Sequence, residues 1–170
     1  MNELINVILE NEEGLTVALQ VLLQLAAAFV GTVAFSVLFS VPKEYRSACG
    51  VTGGVGWAVY LMINSLNHTP IIGAFAASAV LTIMSRYQAV QFKAPTTIFL
   101  LCGIFTLVPG AGIYYTAYYT FMGEEATALS YGMDTIKMAV AIGLGIGVAY
   151  SIPSFVFGWK KEPEVWNDEN

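Results

Sequence analysis

Long apolar runs, separated by short polar connections, limit the fold of this chain more than any other feature. A helix needs about 20 apolar residues to cross hydrocarbon roughly 30 Å thick, because its backbone polar groups must be satisfied within the segment. Runs of this kind occupy 15–41, 49–66, 71–87, 95–121 and 133–157. They predict an all-α integral membrane protein of about five transmembrane helices. The composition agrees, since 56% of the 170 residues are hydrophobic and 11% are charged, against roughly 25% charged in soluble domains. Such helices consume most of the chain, so 1–170 reads as a single membrane domain with 158–170 as a short tail.

The net charge of −5 arises from acids that bracket the apolar runs: Glu3, Glu10, Glu12 and Glu13 at one end, Glu162, Glu164, Asp168 and Glu169 at the other. These are solvated flanks. The seven Lys and Arg residues are scattered among connections and form no basic stripe, so no nucleic-acid partner is expected. Residues 1–15 hold no Lys or Arg, whereas a secretory signal begins with positive charge, so no cleavable leader is expected. Cys49 and Cys102 are too few and too far apart in sequence for a disulfide framework or a metal cluster. They read as small apolar residues, and no metal or other cofactor is expected.

The first run carries Gln20 and Gln24 and stops at Val41-Pro42-Lys43. It exceeds a perpendicular crossing, so either it tilts or its first turns lie at the surface. The second run places Gly50, Gly53, Gly54 and Gly56 ahead of Trp57 and Tyr60. Gly50 and Gly54 have the small-xxx-small spacing that lets helix backbones approach closely in lipid; the competing reading is a solute-lining surface. A polar turn at 64–70 ends in Pro70, which suits the first position of a helix. The third run is rich in small residues (Gly73, Ala74, Ala76, Ala77, Ser78 and Ala79) and closes with Arg86, Gln88, Gln91 and Lys93.

In the fourth run Pro109-Gly110-Ala111-Gly112 predicts a helix broken at Pro109-Gly110, with the irregular stretch at 109–112. Breaks at membrane depth survive where protein or a water-filled cavity satisfies the freed backbone groups. Glu124 and Glu125 mark a surface segment before the fifth run, which carries Asp134 and Lys137 in its first turns and repeats the small-residue spacing at Gly143 and Gly147. Trp159, Lys160 and Lys161 form an interfacial anchor.

Five crossings sort the basic residues by side. Lys43 and Arg46 follow the first run, Arg86 and Lys93 the third, Lys160 and Lys161 the fifth, leaving Lys137 alone on the other side. The excess of Lys and Arg on cytoplasmic loops predicts an outside N-terminus and a cytoplasmic C-terminus.

Ionisable side chains in a membrane are costly, about 2.5–3.5 kcal/mol on insertion scales, so Asp134 and Lys137 are candidate pathway residues. They share a helix face. Either they pair as an interfacial anchor, or Asp134 carries a coupling proton or meets an ammonium while Lys137 meets a carboxylate. Tyr114, Tyr115, Tyr118 and Tyr119 form either an aromatic belt or a polar lining to a solute path. Gly110 and Gly112 open a half-helix whose unpaired N–H groups and positive dipole end suit a carboxylate. His68, the single histidine, sits in a polar turn with no companion metal ligands. Nothing such as G-x-S-x-G assembles a nucleophile, and no enzyme is expected.

The order of features, with VPKEYR closing the first helix, CGVTGGVGW in the second, a small-residue third helix and LVPGAG interrupting the fourth, resembles the threonine/serine exporter (ThrE-like) family. In particular it resembles the small membrane subunit of the split, two-gene form. That resemblance implies a bacterial inner-membrane subunit exporting threonine and serine, or in some split systems a dicarboxylate such as succinate, driven by the proton gradient. It also implies a larger companion subunit, and maps Pro109, Gly110 and Gly112 onto the helix break and Gly50, Gly53, Gly54 and Trp57 onto the second helix. Independently, an odd number of helices cannot build a two-fold repeat in one chain, so a symmetric transporter needs a companion or a homo-oligomer. The alternative of another class is a membrane scaffold that binds helices through glycine faces and moves no solute.

Overall fold

The computed structural model describes the backbone of residues 2–67 and 69–153 and the side chains of 15–66 and 69–153. His68 and the Trp159, Lys160 and Lys161 anchor lie outside the described residues. Among the described residues six helices follow in order: α1 (Asn2–Leu38), α2 (Lys43–Asn67), α3 (Pro70–Phe92), α4 (Thr96–Ile104), α5 (Gly110–Phe121) and α6 (Glu125–Tyr150). No strand occurs among the described residues. Four helical stretches are long and apolar enough to cross a membrane: Leu15–Leu38, Lys43–Leu66, Pro70–Phe92 and Glu125–Tyr150.

The helix ends depart from the apolar runs. The first helix stops at Leu38 rather than 41, the second starts at Lys43 rather than 49, the third continues to Phe92 rather than 87, and the last starts at Glu125 rather than 133. Apolarity marks what faces lipid, whereas Lys, Arg, Glu and Gln continue a helix readily. Backbone chemistry sets the ends. Ser40 (φ 56°), Lys93 (φ 52°) and Gly123 (φ 77°) adopt the left-handed conformation, and the next residue's N–H reaches back to Ser36 O, Ala89 O and Tyr119 O respectively. This is the Schellman arrangement that satisfies terminal carbonyls. Pro42 and Pro95 follow two residues after the first two of these and directly precede α2 and α4, where the N–H that proline lacks has no helix partner to lose.

The packing fixes helix directions. Gly50 lies against Phe29 and Val33, and Gly53 against Thr32, so α1 and α2 form an antiparallel hairpin. The α2–α3 pair is also antiparallel, with Gly56 on Leu81 and Gly73 on Tyr60. Between them the buried Gln88 amide donates to Ala48 O (3.1 Å) while its oxygen accepts from Thr52 Oγ1 (2.7 Å). By contrast α3 and α6 run in the same direction: Gly145 meets Phe75 and Ser78 near the start of α3, and Arg86 near its end reaches the last turn of α6. There the buried guanidinium donates to Ala149 O (2.9 Å) and Ile152 O (2.6 Å) and lies over the Tyr150 ring. Parallel neighbours require the intervening chain to return to the opposite end, and α4 and α5 make that return.

Those two short helices do not form one straight rod. The first, α4, packs on α1, α2 and α3, whereas α5 packs on α6 alone. A straight continuation of α4 would stay beside α2 and α3; the turn toward α6 leaves that volume empty.

Candidate functional site

The interruption occupies 105–109, earlier than the 109–112 expected from the glycines. Proline explains the offset, because its ring clashes with the carbonyl four residues back, and four residues before Pro109 is Phe105, the first residue past α4. The chain tightens there through Thr106 N–H to Gly103 O (3.2 Å) and Leu107 N–H to Ile104 O (2.9 Å). Pro109 (φ −76°, ψ 60°) then centres an inverse γ-turn in which Gly110 N–H donates to Val108 O at 2.7 Å. Helix α5 starts immediately, its first i→i−4 bond running from Ile113 N–H to Pro109 O. No side chain caps this start, and the donors of its first turn not engaged by the γ-turn are those of Ala111 and Gly112.

A cavity of about 530 Å³ fills the vacated space. Trp57 and Tyr60 line it from α2, Pro70 and Ile71 from the start of α3, residues 106–112 from the interruption and α5, and Tyr131, Asp134, Thr135 and Met138 from α6. Its walls are mostly apolar, with one carboxylate and the hydroxyls of Tyr60, Thr106, Tyr131 and Thr135 as polar side-chain groups. Asp134 Oδ1 accepts a hydrogen bond from Lys137 Nζ at 3.0 Å, an ion pair between two exposed side chains. A second cavity of about 320 Å³ lies toward α1, lined by Gln24, Ala27, Ala28, Gly31 and Phe35 of that helix and by Trp57, Phe105 and Thr106. Trp57 Nε1 donates to Gln24 Oε1 at 3.2 Å.

The geometry sorts the residues singled out in the sequence. Gly110, Gly112 and Asp134 meet at the larger cavity, while Lys137 reaches it only through its ion pair. Tyr114, Tyr115 and Tyr118 do not line it. They form an aromatic cluster on the exposed side of α5, Tyr114 stacked on Tyr118, and Tyr119 stacked on Tyr131 of α6. Gly50 and Gly53 meet α1, but Gly54, Gly143 and Gly147 face no neighbour among the described residues. The close approach on α6 is made by Gly145 instead. Cys49 and Cys102, remote in sequence, are buried in one core cluster with Phe99.

Sequence reasoning missed Gln24, Thr106, Tyr131 and Thr135 as lining residues, and placed Trp57 only by resemblance. One signal was available for Gln24: in an antiparallel hairpin, residues equally far from the turn at 39–42 face one another, which pairs Gln24 with Trp57.

A broken helix opening onto a mixed-polarity cavity is a form found in secondary transporters. The family model described as threonine/serine exporter, ThrE, matches residues 24–152. The chain belongs to the threonine/serine exporter family. The match runs from Gln24 to the last turn of the bundle and includes every lining residue of both cavities. No curated protein and no solved structure matches the chain. Membership in this family, together with the long apolar helices, makes it a multi-pass membrane protein of the exporter type, in a family of transporters rather than enzymes.

Proposed function

We propose that this chain is a subunit of a proton-coupled secondary transporter that exports threonine and serine across the bacterial inner membrane, binding them in the cavity at the α4–α5 interruption. The observation that carries this reading is the meeting of Asp134 and the uncapped start of α5 on one cavity. A free amino acid is a zwitterion and needs both signs of partner. Asp134 receives the ammonium, the first-turn N–H groups and dipole of α5 receive the carboxylate, and nearby hydroxyls such as Thr135 receive the side-chain hydroxyl. The same carboxylate is the carrier of the coupling proton in this reading. Succinate fits this cavity less well, since Asp134 repels its second carboxylate.

Five crossings, with an outside N-terminus and a cytoplasmic C-terminus, accommodate this site. Helices α4 and α5 have 9 and 12 residues, and their summed rise of roughly 31 Å matches one hydrocarbon thickness. The parallel run of α3 and α6 needs such a return. The partner is a larger companion subunit of the same family or a second copy of this chain. It seats on the outer face of α6, where Gly143 and Gly147 meet nothing among the described residues, and beside α5, which among the described helices packs on α6 alone.

The test is efflux of labelled threonine from preloaded cells making the chain with its partner. Asp134→Asn is expected to slow efflux by about tenfold, the effect of losing about 1.4 kcal/mol of ion pairing in the bound state, while protein level holds. Unchanged efflux in that variant rejects the site, and intracellular threonine indifferent to the assembled transporter rejects amino-acid export.

A further inference from the structure

The two cavities have only Trp57 and Thr106 in common. They lie in series. The larger reaches Pro70 and Ile71, at the α2–α3 connection, while the smaller descends along α1 from Gln24 to Phe35, toward the α1–α2 turn. In its wall Phe35 stacks on Phe105 at 4.3 Å, and Phe39 approaches the same ring at 5.5 Å. We propose that solute passes between the two cavities through a gate formed by Trp57, which its hydrogen bond to Gln24 holds shut. This rests on the reading of the larger cavity as the binding site.

The indole is held from both sides. Its Nε1 donates to Gln24 Oε1, and its ring stacks on Tyr60 at 5.1 Å between centroids with a 30° tilt. Trp57 lines both cavities and Gln24 lines the smaller alone, so their bond ties a wall shared by the two cavities to the smaller one. The other shared residue is Thr106, whose hydroxyl donates to Gly103 O at 2.8 Å and is fixed to the interruption. Opening therefore requires one neutral hydrogen bond to break and one side chain to turn. The smaller cavity offers a zwitterion only Gln24, Thr106 and the indole N–H as polar side-chain partners, and no charge. Such a space is crossed rather than occupied.

The test uses one added cysteine at a time as reporter in native membranes, Ala111→Cys in the larger cavity and Ala28→Cys in the smaller, labelled by a membrane-impermeant maleimide from each side. The unsubstituted chain, whose two cysteines are buried, gives the background. From the side of the α2–α3 connection, Ala111→Cys is expected to react and to be protected by threonine, while Ala28→Cys stays slow. Adding Trp57→Phe, which keeps a ring but removes the N–H, or Gln24→Ala, is expected to speed Ala28→Cys labelling from that side about tenfold, a shift of about 1.4 kcal/mol in the gate equilibrium. Unchanged Ala28→Cys labelling in both variants, with threonine protection of Ala111→Cys intact, overturns the gate and leaves the binding site standing. Absence of threonine protection at Ala111→Cys rejects the binding site and the gate together. Labelling of Ala28→Cys by lipid-soluble reagents alone identifies the smaller cavity as a lipid crevice and overturns the route.

Discussion

A guanidinium only 9% exposed among apolar helices is costly unless its donors are occupied. Arg86 meets that demand with Ala149 O in the last turn of α6, at the negative end of the helix dipole, and with Ile152 O just past the helix end. Arg86→Met is expected to lower stability by about 3 kcal/mol, since hydrogen bonds to a charged group and the helix cap are lost together. Thermal unfolding in detergent measures it, and Arg86→Lys should recover part of the loss because a single ammonium reaches fewer of the carbonyls. The sequence placed Arg86 at the closing end of a span but could not reveal its partners, because backbone carbonyls carry no residue-specific signature and these lie more than sixty positions away. The Asp134 and Lys137 pair was legible for the opposite reason, as three-residue spacing on a helix brings side chains together. That pair is exposed, so Lys137→Gln should change stability by less than about 1 kcal/mol, measured in the same unfolding experiment. Its threonine efflux should fall by more than that small loss explains if Lys137 orients Asp134 toward the solute.

Helix ends account for the clearest gap between expectation and structure at the scale of elements. Hydropathy located the runs, but Ser40, Lys93 and Gly123 decide where the helices stop, and a left-handed serine or lysine has no compositional mark. Such a residue is strained by roughly 1–2 kcal/mol relative to glycine, so Ser40→Gly is expected to raise stability by about 0.5–1 kcal/mol. An unchanged or lowered melting temperature in detergent would remove that account of the turn. The broken helix was legible from Pro109, yet its irregular part precedes the proline because the ring acts on the carbonyl behind it. Glycine spacing revealed which residues share a face but not which face meets a helix. Gly145→Leu should therefore destroy the folded chain by driving into Phe75 and Ser78, whereas Gly143→Leu should leave the chain folded, as monodispersity in detergent would report.

For the whole molecule, the division of the return path between α4 on the α1–α3 side and α5 on the α6 side both creates the cavities and leaves α5 with a single neighbour among the described helices. Gly143→Leu and Gly147→Leu are expected to weaken copurification of the proposed partner at least about tenfold while the chain itself stays folded; undiminished copurification would overturn the proposed interface on α6. Arg86 also bears on biogenesis. A ribosome delivers α3 to the membrane long before it has made residues 149–152, so the guanidinium must await those acceptors until the last helix has been inserted. Final closure of the bundle is consequently a post-insertion event, and nascent chains cut short before residue 149 should be the ones that quality-control proteases recognise.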